Sequence, residues 1–197
     1  MKSKQYLIAD ARKEQIIKAA IEVLTDIGYV STSLSKIASK AKTSTGLISY
    51  HFSGKEDLMN HIIVYLVEEE KTFIRERVEM EQTNMGKLMA FVEAGIEYRN
   101  IKRGNITALL EIVFNIRTPD NVPYFKGEMN PEEEVQVRLE EILVKGQESN
   151  EFGDFDTKVV GIMIRGSISS AMSLPQDDAG IKDYGEKVKE NILKMIK

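Results

Sequence analysis

The sequence predicts an all-α fold of about nine helices, with an N-terminal three-helix domain containing a helix-turn-helix and a C-terminal helical domain. Three observations predict it. Apolar residues recur at i, i+3, i+4 and i+7 over most of the 197 residues, which is the period of a helix with one buried face. No convincing apolar–polar alternation and no hairpin signal appears. Capping residues precede the periodic runs and Gly or Pro follows them, where helices start and stop.

The elements follow in order. Ile16, Ile17, Ala20, Val23, Leu24 and Ile27 mark a first helix from about Asp10, stopped by Gly28. Leu34, Ile37, Ala38 and Ala41 mark a short second one. Ser44 caps a third that runs to about Phe52. Ser53-Gly54-Lys55-Glu56 reads as a capping box, in which Ser53 and Glu56 satisfy each other's backbone donors. It opens a long fourth helix through Leu58, Ile62, Leu66 and Phe73. Leu88, Phe91, Val92, Gly95 and Ile96 form the stripe of a fifth helix, and Ile106, Leu109, Leu110, Val113 and Phe114 that of a sixth. Thr118-Pro119-Asp120 and Val122-Pro123 break the pattern, and a loop runs to Asn130. Asn130-Pro131-Glu132-Glu133 then supplies a cap, a proline at the first helical position and acids at the positive dipole end. Val135, Leu139, Ile142 and Leu143 continue that seventh helix. Asp156 begins an eighth that reaches about Ser173 and ends at Leu174-Pro175. Ile181, Tyr184, Val188, Ile192 and Ile196 lie on one face of a ninth.

Composition excludes several classes of function. The chain is 42% hydrophobic and 29% charged, an ordinary globular balance. It has no cysteine, so a disulfide scaffold, a thiolate zinc site, an iron–sulfur cluster and a cysteine nucleophile are ruled out. The N-terminal apolar run, Tyr6-Leu7-Ile8-Ala9, is too short for a signal peptide, and no window reaches the roughly 18 apolar residues of a spanning helix. A cytoplasmic protein with no membrane partner is expected. The two histidines, His51 and His61, are ten apart with no metal-ligand spacing, and no HExxH, GxSxG, P-loop or GxGxxG pattern occurs. Neither an enzyme nor a metal or cofactor site is expected. Glu68-Glu69-Glu70 reads as a solvated helix face.

Charge is divided along the chain. The net charge of -4 alone argues against a nucleic-acid binder. Residues 1–57, however, hold nine basic and six acidic side chains, whereas 58–197 hold eighteen and twenty-five. A basic head on an acidic body is the asymmetry expected when one end meets phosphate.

Residues 33–52 read as helix, tight turn, helix. The second helix of such a pair enters the major groove by its N-terminal end. Here that end is Thr43-Ser44-Thr45-Gly46. Hydroxyl side chains can bond phosphate oxygens or base edges, and Gly46 permits close approach. Ser49 lies one turn on, and Tyr50 and His51 carry polar tips that can reach flanking phosphates. Thr32, Ser33, Lys36 and Lys55 complete the candidate DNA contacts, Lys36 as a solvated cation and Lys55 as a phosphate grip at the start of the fourth helix.

The stretch from Thr32-Ser33-Leu34-Ser35-Lys36-Ile37-Ala38 through Ala41, Ser44-Thr45-Gly46-Leu47-Ile48 and Tyr50-His51-Phe52 to Ser53-Gly54-Lys55-Glu56-Asp57-Leu58 resembles the DNA-binding domain of the tetracycline-repressor (TetR) family. Ile17, Ala20, Leu24 and Gly28-Tyr29 match as well. Lys42 stands where many members have Gly, Ser49 where many have an aromatic, and Gly54 where many have Ser. The resemblance implies a homodimeric repressor of a palindromic operator, released by a small-molecule effector. It divides the chain into a DNA-binding head at 1–56 and a ligand-binding and dimerisation body at 57–197. It also implies that the last two long helices pair with a partner's, through Ile162, Ser169, Met172, Tyr184, Val188 and Ile192. In the body, Met89, Phe91, Tyr98, Phe114 and Tyr124 are either pocket lining or core. Glu111 and Asn115 share a helix face that either points inward and orients a ligand or points out to solvent. The alternatives are a ligand-independent architectural DNA-binding protein and, more remotely, an all-α enzyme.

Overall fold

The computed structural model describes residues 4–117, 120–124, 133–175 and 178–197. Among these the chain forms nine α-helices and no strand. They are α1 (Lys4–Ser31), α2 (Leu34–Lys40), α3 (Thr45–His51), α4 (Lys55–Val78), α5 (Asn84–Ile101), α6 (Arg103–Asn115), α7 (Glu133–Glu148), α8 (Thr157–Ser170) and α9 (Asp178–Met195), with a 3₁₀ turn at Ala171–Ser173. All nine expected elements are present. The expected start of α7 at Asn130-Pro131-Glu132 lies outside the described residues.

Two local details differ from the sequence reading. Gly28 does interrupt α1, at φ 73 and ψ 169, but one further helical turn follows before Thr32. That conformation is essentially restricted to glycine. The start of α4 is not a Ser53–Glu56 box. The Ser53 N–H donates instead to Asp57 Oδ2 at 2.8 Å, one residue beyond the expected acceptor.

The chain divides into two compact units, Met1–Leu66 with Gly104–Asn130, and Val67–Arg103 with Pro131–Lys197. Thus α4 contributes residues 55–66 to the first and 67–78 to the second. The helix α6 groups with the N-terminal helices.

In the first unit the apolar stripe read from the sequence is the core. Ile16, Ala20, Leu24, Ile37, Ala38, Ile48, Phe52, Leu58 and Ile62 are all buried. Burying each of the isoleucine, leucine and phenylalanine side chains among them contributes roughly 1.5–3 kcal/mol before entropy is charged against it. Two bonds tie α1 to α6 inside this unit. Thr25 Oγ1 donates to the Gly104 carbonyl at 2.9 Å. The Tyr29 N–H donates to Glu111 Oε2 at 2.8 Å.

The second unit is built on α5, α7, α8 and α9, around Leu88, Phe91, Val92, Leu139, Leu143, Ile164, Ile168, Val188 and Ile192. Gly95 lets α8 lie directly on α5, since a Cβ there would fall 2.8 Å from Ile168 Cγ2. The Glu68-Glu69-Glu70 run is not one solvated face. Glu68 pairs with Lys71 at 2.8 Å on the surface, while Glu69 accepts from Lys102 at 2.7 Å and from the Tyr98 hydroxyl at 3.3 Å. Glu70 is buried and takes Arg99 at 2.7 Å and Arg165 at 3.4 Å on the same oxygen. A buried carboxylate is tolerated because it is paired. Both cations come from helices far away in sequence, which is why the run looked like surface.

Candidate nucleic-acid interface

The turn between α2 and α3 is built by backbone bonds. The Lys42 N–H donates to Ser39 O at 3.2 Å, and the Thr43 N–H to Ala38 O at 2.9 Å. Closing it puts Lys42 at φ 51, in the left-handed region. Gln15 of α1 braces the turn, its Nε2 donating to the Ala41 carbonyl at 2.9 Å. Ser44 caps α3, its Oγ accepting the Leu47 N–H at 3.1 Å.

Only Ile48 of α3 is fully buried, and Leu47 and His51 are half-buried. Ser44, Thr45, Gly46, Ser49 and Tyr50 are exposed, Tyr50 to 80%. The face turned outward is therefore small and hydroxyl-rich, with one aromatic. That surface suits entry into a groove lined with phosphates and base edges. The Tyr50 and His51 rings meet edge to face at 5.1 Å, and Phe52 anchors the end of α3 in the core.

Other expected contacts are placed differently. Thr32 is buried, and its hydroxyl donates to the Gly28 carbonyl at 2.7 Å. It secures the chain after the α1 break and presents no free hydroxyl. Ser33 is exposed and caps α2, its Oγ accepting the Lys36 N–H at 3.3 Å. Lys36 is exposed, with Nζ bonded to the Ser31 carbonyl at 2.8 Å. Thr43 is half-buried in the turn. Lys55 is also half-buried. Its Nζ donates to the Tyr29 carbonyl at 2.7 Å and lies 4.0 Å from the centre of the Tyr29 ring. Desolvation holds its pKa below the ordinary lysine value. Lys55 therefore joins α4 to the end of α1 as much as it offers charge to a phosphate.

Lys40 is pulled toward the protein by Glu22 at 2.8 Å and Asp26 at 3.8 Å. The hydrogen bond to Glu22, then its charge, raises the lysine pKa. Among the described residues Lys42 makes no ion pair and stays exposed at the tip of the turn. The bracing by Gln15 and the neutralisation of Lys40 were not legible in the sequence, because both partners lie on α1.

The candidate ligand residues are divided between the two units. In the second, Phe91 is completely buried in the core and has no surface left to line a cavity. Tyr98 is buried with its hydroxyl on Glu69, and Met89 is half-buried against the core. In the first unit Phe114 is 64% exposed, and Asn115 is exposed with Nδ2 donating to Glu111 O at 2.8 Å. The Glu111 carboxylate accepts the Tyr29 backbone N–H on Oε2, so it ties α6 to the end of α1. Tyr124 is half-buried, and desolvation raises its pKa.

Of the candidate dimer residues, Ile162 is 64% exposed and Ser169 is exposed one helical repeat away. Val159 and Met163, at 53% and 50%, extend the same apolar stripe of α8. Met172 and Tyr184 are half-buried, the Tyr184 hydroxyl donating to the Ser167 carbonyl at 2.6 Å. Val188 and Ile192 are buried in the chain's own core, because the apolar stripe of α9 packs inward on α5 and α8. The exposed part of the expected face is thus on α8. No helix among the described residues is long and apolar enough to cross a membrane.

Comparison with known proteins agrees with this geometry. Residues 16–62 match the model of a family described as bacterial regulatory proteins, tetR family. The chain is 40% identical over 52 residues to the HTH-type transcriptional regulator HbdR of Aromatoleum sp. (strain CIB). That match covers 26% of this chain and 23% of the relative, so it spans less than a quarter of the relative's length. The whole fold is similar to a tetR-family regulatory protein from Rhodococcus RHA1, with a TM-score of 0.79 at 19% identity over 99% of this chain and 98% of that one. It is also similar to AibR, solved in complex with isovaleryl coenzyme A and operator DNA, with a TM-score of 0.72 at 16% identity over 94% and 97% of the two chains.

Proposed function

We propose that the chain, whose residues 16–62 match the tetR family of bacterial regulatory proteins, is a transcriptional repressor of that family that binds a palindromic operator as a homodimer and is released by a small-molecule effector. The DNA-binding head is residues 1–56 and the effector-binding and dimerisation body is 57–197. The protein acts in the cytoplasm and performs no catalysis. One observation carries the reading: α3 buries Ile48 and turns Thr45, Gly46, Ser49 and Tyr50 outward from a braced, capped turn. A helix serving only as core filler would not leave that face bare.

Dimerisation is supported by Val159, Ile162 and Met163, an outward apolar stripe at i, i+3 and i+4 on α8. Two heads joined in this way address two half-sites, whose centres must lie one DNA turn or a multiple of it apart, roughly 34–36 Å per turn. An effector releases the operator by binding more tightly to the form whose heads no longer match that spacing. The reading of AibR with both an acyl-coenzyme A and operator DNA in its structure supports the same pairing of ligand and DNA here.

The test is selection from a random duplex pool with the purified protein, followed by anisotropy titration of the enriched sequence. A two-fold symmetric motif is expected, bound with a steep loss of affinity as salt rises, because each phosphate contact releases counterions. Light scattering should give twice the chain mass. A pool without enrichment, or a monomer at micromolar concentration, overturns the proposal.

A further inference from the structure

The basic side chains of the head differ once their partners are known. Lys18 lies 2.6 Å from Glu14, and Lys40 lies 2.8 Å from Glu22 and 3.8 Å from Asp26. These two lysines face carboxylates of their own chain. Arg12 and Lys42 do not. Both are exposed, and neither makes an ion pair among the described residues.

Gln15 joins Arg12 to the turn that carries Lys42. Its Nε2 donates to the Ala41 carbonyl at 2.9 Å, and its Oε1 accepts Arg12 Nη1 at 2.8 Å. Both ends of the amide are used, the donor end by a carbonyl and the acceptor end by a guanidinium. Arg12 is thus held one side chain away from the residue that precedes Lys42. Lys13, next along α1, has Nζ 5.4 Å from the centre of the Phe52 ring, and Phe52 closes α3. Neighbouring residues of α1 therefore reach the turn that opens α3 and the residue that ends it.

Bracing the turn needs only the amide N–H of Gln15. Its oxygen adds a fixed place for a long exposed side chain, so less conformational freedom is left to lose when that side chain meets a ligand. The acceptor is neutral, so the guanidinium keeps its full charge. Its remaining donors have no partner among the described residues. A held guanidinium with no carboxylate beside it suits a phosphate oxygen.

We propose that Arg12 grips the DNA backbone beside the groove that α3 enters, and that Gln15 is the positioning residue that keeps this grip in register with the turn. Contacts of this kind fix how the reading helix is set on the duplex and carry no sequence information themselves. The assignment rests on the operator-binding reading above.

The experiment is anisotropy titration of the full-length protein over a series of salt concentrations. The probes are the duplex enriched from the random pool and a scrambled duplex of the same length. Arg12→Gln should weaken both by the same factor, several-fold, and lower the slope of log affinity against log salt by about one. Arg12→Lys keeps the charge and should keep the slope. Lys18→Gln removes a cation of the same helix that already faces Glu14, and should leave the slope unchanged. Gln15→Met removes both amide bonds. It should weaken binding in the wild type and much less in Arg12→Gln, a coupling that a purely structural brace would not show. A slope unchanged by Arg12→Gln, or lowered as far by Lys18→Gln, overturns the grip. Equal losses from Gln15→Met in both backgrounds overturn the positioning role. Arg12→Gln alters only an exposed side chain, so it keeps the proposal falsifiable if Gln15→Met does not fold. If the wild type binds the enriched duplex and every variant matches it, the operator-binding reading stands and the grip falls. If the wild type binds neither duplex, both fall.

Discussion

The carboxylate of Glu111 accepts the main-chain N–H of Tyr29 at 2.8 Å, across 82 positions of sequence. The bond falls immediately after Gly28, where α1 breaks and a backbone donor would otherwise lack an acceptor. Glu111→Ala removes that acceptor from a half-buried donor. The expected cost is about 1–2 kcal/mol of stability, with about half of that for Glu111→Gln, which keeps a neutral acceptor. Urea denaturation of the two variants checks the order. Equal stability of Glu111→Ala and the wild type would show that the tie carries nothing.

Gly28 makes the same junction sensitive from the other side. Its φ of 73 with ψ of 169 is a glycine conformation, and a Cβ would sit 3.1 Å from Glu111 Oε2. Gly28→Ala should therefore cost about 1–3 kcal/mol from backbone strain. Loosening of the Glu111 bond adds to this. Thermal unfolding should show the loss even though no buried apolar contact is removed, and an unchanged midpoint would contradict the conformation.

The reverse holds at Lys42, which sits at φ 51 in the turn of the helix pair. A non-glycine residue there costs roughly 1–2 kcal/mol. Glycine relieves that cost but gives back about 0.5–1 kcal/mol in chain entropy. Lys42→Gly should leave the protein more stable by up to about 1 kcal/mol. It should also lower the salt dependence of operator binding by about one counterion if Lys42 meets a phosphate. Stability and salt slope are measured separately, so the two effects do not mask one another.

Within the second unit, Glu70 and Glu68 give opposite expectations though they are two residues apart. Glu70→Ala leaves the buried guanidinium of Arg99 without its carboxylate and should cost about 3–5 kcal/mol. Glu68→Ala removes an exposed partner of Lys71 and should change stability by no more than about 0.5 kcal/mol. Similar costs for both would mean that Glu70 is hydrated after all.

What the sequence made legible was most of what short spacing governs, with the Ser53–Glu56 box and the Thr32–Gly28 bond as exceptions. The nine helices, the cap at Ser44, the break at Gly28 and the buried stripe of Ile37, Ala38, Ile48 and Phe52 all follow from residues within a turn or two of each other. Part of the outward face of α3 follows as well, since burying Ile48 turns Gly46 and Tyr50, two residues to either side, to the opposite face. What it hid were partners brought from elsewhere. Lys55 looks like a free cation until the Tyr29 carbonyl is seen beside it. Period left Glu111 either inward or facing solvent, and only the fold shows its Oε2 on the Tyr29 N–H at the end of α1. On α9, period alone could not say whether Val188 and Ile192 faced a partner or the chain's own core, and the packing decides for the core.

The groove-facing role of α3 can be separated from its stability because its residues differ in what they hold. Ser44 Oγ caps α3 through the Leu47 N–H, so Ser44→Ala should cost about 1 kcal/mol of stability as well as operator affinity. Tyr50 is 80% exposed and Thr45 is exposed too, so truncating either should change stability by no more than about 0.5 kcal/mol. If their side chains touch DNA, each truncation should still weaken operator binding by about 1–3 kcal/mol, roughly five- to more than a hundred-fold. A base contact would relax the preference at one operator position, whereas a phosphate contact would weaken all sequences alike and flatten the salt dependence. Anisotropy titrations on the selected operator and on single-position variants, beside thermal unfolding of the free protein, read both quantities. Loss of binding only where stability is also lost would mean that α3 serves the head's packing and that some other surface meets the duplex.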